Sequence, residues 1–404
     1  MRTFFPFILL CLLILSGCSG DENPPLPVLP RLVVQPDDGR APILATIAGA
    51  RDNIRLTIYE ITDLQAVSQS PAPPAASVAQ ALIDKAKSGV KVNVIVDQNQ
   101  YTNGSSAKQI QQTVQALRDA GVVVHPSSTA FCFTHQKTFV IDGPTSANPA
   151  NSGTAIIMSL NLMPGYFGGT RDYAVITGDR GVVQEISNVF DADFSLVGPP
   201  TPCNYAHAPS TTKPPPSPSD TPSLSEVNLL WSPVNSKPKL MQLIGSAKQS
   251  LVITTEEISD ADMVCQIKTV AQSSAKPTVR ILLSGDTGSN ASAVTTLLGL
   301  GLSNLSIRVM PGQPTPPDTT AAQITPLYMH GKQVIVDGLQ AFVGSENLTN
   351  TSLIQNRELG TLFTDPAMIA RLQSVFTSDF TTSGNSLAAQ AYAGTAVITC
   401  PPAP

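Results

Sequence analysis

Two short segments of this chain combine a histidine with a lysine in the same pattern. The first, T-H-Q-K-T-F-V-I-D-G, spans residues 134–143, and the second, M-H-G-K-Q-V-I-V-D-G, spans residues 329–338. Each reads H-x-K-x-x-x-x-D-G, and about half the chain separates His135 from His330. An imidazole can attack, donate a proton or accept one near neutral pH. A lysine adds fixed positive charge that suits a phosphate, so two such pairs could act together on a phosphate ester.

The residues between the lysine and the aspartate predict a β-strand in both copies. They are apolar or β-branched apart from Gln333, a composition typical of strands. Residues two apart on a strand face the same side, so Lys137 and Lys332 should project with their histidines. Asp142 and Asp337 stand at an odd offset and precede Gly, which is typical of a hairpin turn. We predict a structural role for both aspartates.

The residues that follow the two motifs also match. Each copy continues into a strand-like run that ends in S-x-N, and we predict that four side chains contact phosphate oxygens or orient the lysines: Ser159, Asn161, Ser345 and Asn347. An acid follows each S-x-N, Asp172 in the first copy and Glu358 in the second. Each carboxylate could hold a histidine Nδ1–H and leave Nε2 for the substrate.

The second half of the chain repeats the plan of the first, with strands that alternate with helices. Helical spacing predicts helices over residues 77–88, 107–120, 182–194, 238–247, 261–272 and 366–380. Glu60 and Glu257 occupy matching places in two similar segments. Both could enter the cleft, but we favour a structural role for them. The fold class predicted is α/β, with two similar halves, each a mixed β-sheet flanked by helices. Packing about a pseudo-twofold axis would bring both H-x-K pairs into one cleft.

On these motifs, their S-x-N followers and the two downstream acids, the chain resembles the phospholipase D superfamily. The resemblance covers nearly all of the chain after the leader. It implies a phosphohistidine intermediate and no required metal or cofactor. It would make His135 the nucleophile and His330 the general acid, although the symmetry of the motifs leaves that order open. The first half differs in having Met158 where the second has Gly344, so we expect one half of the cleft to be narrower.

The N-terminus has the features of an export signal. Arg2 precedes an apolar run too short for an ordinary membrane span, which predicts a signal peptide over residues 1–17. The sequence L-S-G-C resembles a bacterial lipobox, with Cys18 as the lipidated residue; a plain cleaved signal is the alternative. These features predict a lipid-anchored protein of the bacterial cell envelope, at the outer membrane, on its periplasmic side, or on the extracellular face.

Proline-rich segments divide the rest of the chain. Residues 18–39 are predicted to form a tether and residues 197–225 a linker, because such compositions do not build a core. The two halves, residues 40–196 and 226–404, both resemble phospholipase D domains. Four cysteines remain outside the leader: Cys132, Cys203, Cys265 and Cys400. They predict two disulfides with three alternative pairings, and their spacing is unlike that of a metal site.

Charge and composition help to rank the functions. The net charge is −5, whereas a protein that binds the nucleic-acid backbone is usually basic. We therefore favour a phospholipid substrate at a membrane surface over nucleic acid. We also expect the protein to be a monomer. The leading hypothesis is a phospholipase D that hydrolyses a head-group ester or transfers it to an alcohol. The alternatives are a phosphatidyltransferase like cardiolipin synthase, a periplasmic endonuclease and a non-catalytic binding protein, and the complete motifs argue against the last.

Overall fold

The computed structural model describes residues 29–64, 77–128, 130–196, 228–310, 326–388, 391 and 394–401. The predicted signal peptide, Cys18, the first half of the tether (residues 18–28), the linker and Cys203 lie outside the described residues. Within the described part of the chain, no helix is long and apolar enough to cross a membrane.

The first half alternates strands and helices. Its elements are β1 (Arg31–Gln35), α1 (Ala41–Ala48), β2 (Asn53–Ile58), α2 (Val78–Lys87), β3 (Lys91–Val96), α3 (Gln98–Asn103), α4 (Ala107–Asp119), β4 (Val123–Pro126), β5 (Thr138–Ile141), β6 (Thr154–Met158), a 3-10 helix (Pro164–Phe167), β7 (Thr170–Thr177) and α5 (Arg180–Ser195).

The second half follows the same plan. Its elements are β8 (Leu229–Ser232), α6 (Ser236–Gly245), β9 (Ser250–Thr255), α7 (Ala261–Gln272), β10 (Thr278–Leu283), a 3-10 helix (Gly288–Asn290), α8 (Ala291–Leu298), β11 (Leu305–Val309), β12 (Tyr328–Met329), β13 (Lys332–Val336), β14 (Gln340–Gly344), α9 (Asn350–Ile354), β15 (Glu358–Phe363) and α10 (Pro366–Thr382). The six predicted helices correspond to α2, α4, α5, α6, α7 and α10.

Each half forms one mixed sheet, and the two strand orders are equivalent. The first runs β1-β7-β6-β5-β2-β3-β4, with β12 paired to β7, and the second runs β11-β10-β9-β13-β14-β15-β8. In both sheets the three strands that alternate with helices are parallel, and the hairpin that follows each motif is antiparallel. The predicted fold class of two similar α/β halves is confirmed.

The fold begins earlier than the predicted boundary at residue 40. Strand β1 pairs antiparallel with β7 over its whole length, and Leu32, Val33 and Val34 are almost fully buried. Residues 31–35 are therefore part of the first sheet, and the predicted tether is too long at this end. The short apolar run in R-L-V-V-Q gives little strand signal by itself, because it does not alternate and proline-rich sequence surrounds it.

Apolar side chains from both halves join the two sheets. Tyr173 and Val34 of the first sheet pack with Ile335 and Val343 of the second and with Leu372 of α10. A second shared cluster places Trp231 and Leu359 of the second half against residues of β5, β6 and α5. The helices on the outer faces cover two further cores, one in each half.

Met158 lies in one of these outer cores, so the expectation that it narrows the cleft is wrong. It is fully buried in the core of the first half, whereas its neighbour Ile157 faces the other half, as strand alternation requires. In the second half, the space beside Gly344 is filled differently, because a Cβ there would lie 2.4 Å from Oε2 of Glu346 and 2.5 Å from Cα of Gly360.

The two motif aspartates hold the start of β2 and of β9. Both adopt positive φ, 51° for Asp142 and 54° for Asp337. The Asp142 carboxylate accepts three successive backbone N–H groups, those of residues 51–53, at 2.7–3.1 Å. Asp337 accepts those of residues 248–250 at 2.7–3.1 Å. Each aspartate therefore stabilises a neighbouring loop as well as its own turn.

One of the predicted disulfides joins Cys265 to Cys400. It ties α7 to the C-terminal segment. Cys132 is also disulfide-bonded, and Cys203 lies outside the described residues.

Candidate active site

Each motif histidine lies in an extended segment just before its strand, rather than on the strand as predicted. These segments pair with the opposite half of the molecule. Thr134 bridges Arg357 in parallel, and Met329 of β12 pairs with Arg171. The exchange is reciprocal, as expected for a pseudo-twofold arrangement, and it carries each histidine to the end of the other half's sheet.

The acid that holds each histidine also comes from the opposite half. Nδ1 of His135 lies 2.8 Å from Oε2 of Glu358, and Nδ1 of His330 lies 2.8 Å from Oδ1 of Asp172. Both carboxylates are fully buried. In each pair the carboxylate can accept Nδ1–H, which leaves Nε2 as the atom free to react.

The two serines of the S-x-N sequences support the acids or their strands instead of reaching toward a phosphate. Ser159 donates to Oδ1 of Asp172 at 2.6 Å and accepts the N–H of Tyr173. Ser345 accepts the N–H of Leu359 at 3.1 Å. Both serines are completely buried, so the predicted phosphate contact is corrected to a structural one.

Asp172 and Glu358 differ in the other side chains that donate hydrogen bonds to them. Thr170 donates to Oδ2 of Asp172. Glu358 accepts from Ser352 at 2.8 Å and from Asn356 at 3.0 Å. The same orienting role is therefore built from different side chains in the two halves.

The two lysines lie beside their histidines, as the spacing predicts. Nζ of Lys137 donates to the carbonyl of His135 at 2.6 Å and lies 4.9 Å from the centre of the Tyr59 ring. Lys332 donates to the carbonyl of His330 and, at 3.0 Å, to Oε2 of Glu256. Burial lowers the pKa of Lys137 to about 7, with a further contribution from the charge of Lys332.

Burial also sets the protonation of His135. It lowers the pKa of this imidazole to about 4, although Glu358 opposes the shift. The charges of Lys137 and Lys332 act in the same direction as burial, which shows that both motifs contribute to one electrostatic environment. His135 is therefore neutral near pH 7 and can act as a nucleophile.

Both S-x-N asparagines reach the cleft and meet a carboxylate there. Asn161 donates to Oε2 of Glu60 at 2.8 Å, and Asn347 donates to Oε2 of Glu256 at 3.3 Å. The charge of Glu60 also acts on Lys137 and favours its protonated form, against the effect of burial on the pKa of Lys137. The expectation that Glu60 is only a structural acid is therefore too narrow.

Glu256 is a site residue that the sequence reading missed. Its Oε2 lies 3.7 Å from Nε2 of His330, and its Oε1 accepts from the hydroxyl of Tyr328 at 2.6 Å. Burial opposes ionisation of Glu256, but Lys332 and His330 outweigh it and hold the pKa of this carboxyl far below its usual range. The strand end T-T-E-E offered a signal, since Glu256 stands at the place of Tyr59 in the first copy.

Asp97 supports the first motif from the end of β3. Its carboxylate accepts the N–H of Thr134 at 2.6 Å and caps α3 through the N–H of Gln100. Burial raises the pKa of Asp97 to about 7. The second copy has Ser284 at the equivalent place.

The two histidines differ in exposure. The ring of Tyr166 packs edge-on against His330, with ring centres 4.9 Å apart, and the His330 side chain is only 3% exposed. The His135 side chain is 13% exposed and lines a cavity of about 340 Å³ between the halves. The other lining residues include the aromatic side chains of Tyr59 and Phe133, the carboxylates of Glu257 and Glu358, and several hydroxyl and amide side chains.

The described residues offer no cluster of three or more His, Cys, Asp or Glu side chains arranged to hold a metal ion. The groups gathered at the cleft are instead two imidazoles, two ammonium groups, two amides and several carboxylates. Such a set can supply a nucleophile, a proton donor and positive charge for a phosphoryl group.

Comparison with known proteins gives one family and several similar folds. A family model described as "Cardiolipin synthase, PLD-like domain" matches residues 43–194 and 240–380. No curated protein matches the chain.

Two solved structures share the fold. The polyphosphate kinase from Porphyromonas gingivalis is 15% identical, with a TM-score of 0.57, over 86% of this chain and 46% of that one. The chain thus spans less than half the length of that kinase. The phosphatidylserine synthase from Haemophilus influenzae Rd KW20 is 14% identical, with a TM-score of 0.57, over 89% of this chain and 87% of that one. A phospholipase D family member, Nuc, from Salmonella typhimurium is 20% identical, with a TM-score of 0.33, over 40% of this chain and 98% of that one.

Proposed function

The chain belongs to the family described as cardiolipin synthase, PLD-like domain, within the phospholipase D superfamily, and we propose that it is a phosphodiesterase of the phospholipase D type. In this proposal it hydrolyses the head-group phosphodiester bond of a phospholipid, or transfers the phosphatidyl group to an alcohol. The observation that carries the proposal is the reciprocal holding of two histidines by carboxylates of the opposite halves.

The proposed reaction has two displacement steps. Nε2 of His135 attacks phosphorus, the bond to the head-group oxygen breaks, and His330 gives its proton to that oxygen. Water or an alcohol then loses a proton to His330 and attacks phosphorus, and the P–N bond to His135 breaks. The lowered pKa of His135 supports this order, and so does the carboxylate of Glu256, which lies 3.7 Å from Nε2 of His330.

The other groups would act on the phosphoryl oxygens. Lys137 and Lys332 supply the positive charge that a pentacoordinate phosphorus needs. Asn161 and Asn347 are the proposed hydrogen-bond donors, through the Nδ2 groups that donate to Glu60 and Glu256 in the structure. An incoming phosphate would compete with Glu60 and Glu256 for the amide groups.

A transferase is the second candidate. The family description and the fold shared with a phosphatidylserine synthase favour it, and the two activities differ only in whether water or an alcohol attacks the intermediate. An endonuclease is less favoured, because the described residues that line the cavity beside His135 include no lysine or arginine, whereas a polyanionic strand needs flanking cations.

We propose that the protein acts at the cell envelope as a lipid-anchored monomer, with Cys18 as the modified residue. The support is the sequence of residues 1–18. Metabolic labelling with a fatty acid, compared between the wild type and Cys18→Ala, tests this separately from activity. Unlabelled wild-type protein would contradict the anchor.

The activity test uses protein with Cys18 replaced, mixed with phosphatidylcholine and phosphatidylglycerol vesicles and ethanol in EDTA. We expect phosphatidate and phosphatidylethanol by mass spectrometry, and neither product from His135→Ala. Phosphatidylethanol is the informative product, because it requires an intermediate that an alcohol can intercept. Product without dependence on His135, or no product from either lipid, would overturn the phospholipase proposal.

A further inference from the structure

A second cavity lies at the edge of the second sheet and is separate from the cleft. It has a volume of about 400 Å³, within the range of small-molecule sites, which is about 300–1,000 Å³. It shares no described lining residue with the cavity beside His135. Its lining residues are Arg280 of β10, Ser306 and Arg308 of β11, and Thr377, Phe380 and Thr381 of α10.

The strand register places both arginines of this cavity on one face of the sheet. Arg280 lies opposite Ser306, and Leu282 lies opposite Arg308, in the parallel pair of β10 and β11. Opposite residues on neighbouring strands project to the same side, as do residues two apart on one strand. Leu282 packs in one cluster with Phe380, so this is the face that α10 covers. The two arginines are about 7 Å apart along the strands and about 5 Å apart across them, so both guanidinium groups can reach one ligand.

The positive charge of this pair is not balanced by the described residues. The lining residues include no aspartate or glutamate, and neither arginine forms an ion pair with a described residue. Five other arginines do pair with a carboxylate: Arg40, Arg55, Arg171, Arg357 and Arg371. In a chain with a net charge of −5, two neighbouring unpaired guanidinium groups favour an anion as the ligand.

The two guanidinium groups differ in how far they are already engaged. Arg308 lies over the ring of Phe380, 4.4 Å from its centre, and donates to the Phe380 carbonyl. That carbonyl belongs to the C-terminal end of α10, where the helix dipole is negative, so Arg308 offsets a charge that would repel an anion. Nε of Arg308 is buried without a hydrogen-bond partner among the described residues, and Arg280 is exposed. Both arginines therefore retain N–H groups for a ligand.

The remaining donors of the cavity suit a tetrahedral anion. Thr377 and Thr381 donate to carbonyls of their own helix at 2.7 Å, whereas Ser306 is half-buried and adjacent to both arginines in the register. Two guanidinium forks and one hydroxyl can together engage the three terminal oxygens of a phosphomonoester. A carboxylate offers only two oxygens in one plane and would leave part of this donor set unused.

We propose that the cavity between Arg280 and Arg308 binds a phosphomonoester or inorganic phosphate, as a second anion site separate from the catalytic cleft. The shared chemistry is a tetrahedral oxyanion, whether it comes free from solution or from the head group of a lipid such as phosphatidate. The inference does not depend on the proposed phosphodiesterase function, because none of the cleft residues takes part in it.

Calorimetric titration with inorganic phosphate measures this site. The ionic strength is held constant, because screening alone would change the affinity. Arg280→Gln should weaken phosphate binding by about 10-fold or more, the scale of a charge-assisted contact. Since Arg280 does not line the cavity beside His135, this loss reports on the second cavity and not on phosphate bound in the cleft.

Three further variants grade the donors and control for net charge. Ser306→Ala should weaken phosphate binding by only a few-fold, because it removes one neutral donor. Arg308→Lys keeps the charge but not the fork, and its affinity should fall between those of Ser306→Ala and Arg280→Gln. Arg51→Gln is the matched control, since Arg51 is exposed and forms no ion pair with a described residue. Its affinity should equal that of the wild type.

Vesicle sedimentation distinguishes the two sources of the anion. The protein carries His135→Ala, to prevent turnover, and a replaced Cys18, and it is mixed with phosphatidylcholine vesicles with and without phosphatidate. A lipid ligand predicts binding to the phosphatidate vesicles that Arg280→Gln lowers several-fold and Arg51→Gln does not. A free phosphate ligand predicts that Arg280→Gln changes only the calorimetric affinity.

Crystals soaked in tungstate locate the site by anomalous scattering. Tungsten between Arg280 and Arg308 that is absent from Arg280→Gln would support the inference for either source. Tungsten in the cleft alone would overturn it, and so would a phosphate affinity and a vesicle binding that Arg280→Gln both leaves unchanged.

Discussion

The two halves of this molecule share a scaffold but give their histidines different surroundings. Each half presents its histidine to an acid of the other at 2.8 Å, and each ends its motif with an aspartate that holds the loop before β2 or β9. The residue that directly follows β2 and β9 differs, however: Tyr59 contacts His135 and Lys137, whereas Glu256 contacts His330 and Lys332. Duplication has thus kept the geometry of the motifs, while the neighbouring positions have diverged enough to make the two imidazoles chemically unequal.

The largest expected effect comes from removing either histidine, and the two losses should differ in kind. His135→Ala should reduce turnover by at least about 10³-fold and leave no covalent adduct. His330→Ala should slow turnover similarly but still form the adduct from a p-nitrophenyl diester, because p-nitrophenolate leaves without a proton. Rapid-quench kinetics and peptide mapping of the modified histidine provide the measurement. An adduct on His330 would reverse the assignment of the two halves.

The next largest effect should come from the acids, and it should cross between the halves. Glu358→Gln should slow adduct formation by about 10²-fold or more, because His135 loses the partner that orients it. Asp172→Asn should leave the burst from a p-nitrophenyl diester nearly intact and slow the steady state, because it acts on His330. Burst and steady-state rates measured on the same enzyme preparations distinguish the two. If both variants slowed the same step, the separation of roles between the halves would be refuted.

Much of this arrangement could be predicted from the sequence because the duplication marks it twice. A single H-x-K sequence is weak evidence, but two copies with matching strands, S-x-N followers and acids define the motif residues and the two-sheet fold. The periodicity of α2, α4 and α7 was clear because each is amphipathic. The position of the motif histidines just before their strands could not be predicted in this way. Their extended segments pair with the opposite half, and such a pairing leaves no local signal in the sequence.

The residues that the sequence did not reveal are those whose roles depend on that packing. Ser159 and Asn161 have similar hydrogen-bonding groups and are two residues apart, yet one supports Asp172 and the other faces Glu60. Glu256 and Glu257 are adjacent, and strand alternation alone could not show that the first meets Lys332 while the second lines a cavity. The direction in which each carboxylate turns is set by contacts across the cleft, and these were unknown at the level of sequence.

A smaller effect is expected from pH, and it sharpens the difference between the two lysines. Since the pKa of Lys137 is lowered to about 7, its charge is present below that pH and lost above it. Values of kcat/KM should therefore fall above about pH 7, and below about pH 4, where His135 becomes protonated. Lys137→Arg should move the alkaline limb upward by at least about one pH unit, because arginine keeps its charge. Lys332→Arg serves as the matched comparison, since Lys332 is already paired with Glu256. An alkaline limb that moves only in Lys332→Arg would assign the titration to the second half and contradict this prediction.

The smallest effect on activity should come from the motif aspartates, where the two halves are most alike. Asp142→Ala and Asp337→Ala each leave three backbone N–H groups without their acceptor and place alanine at positive φ. We expect each to lower the free energy of unfolding by about 2 kcal/mol, by equal amounts within error, because the contacts are equivalent. Asp→Asn at either position should lower the free energy of unfolding by less, since asparagine tolerates positive φ and keeps an acceptor oxygen.

Denaturant unfolding measures these differences in stability. The kcat of the folded variants should stay within about twofold of the wild type, because neither carboxylate faces the cleft. A tenfold loss of kcat without a loss of stability would instead place the aspartate in the chemistry, and a loss in one half alone would show that the divergence between the halves extends to their turns.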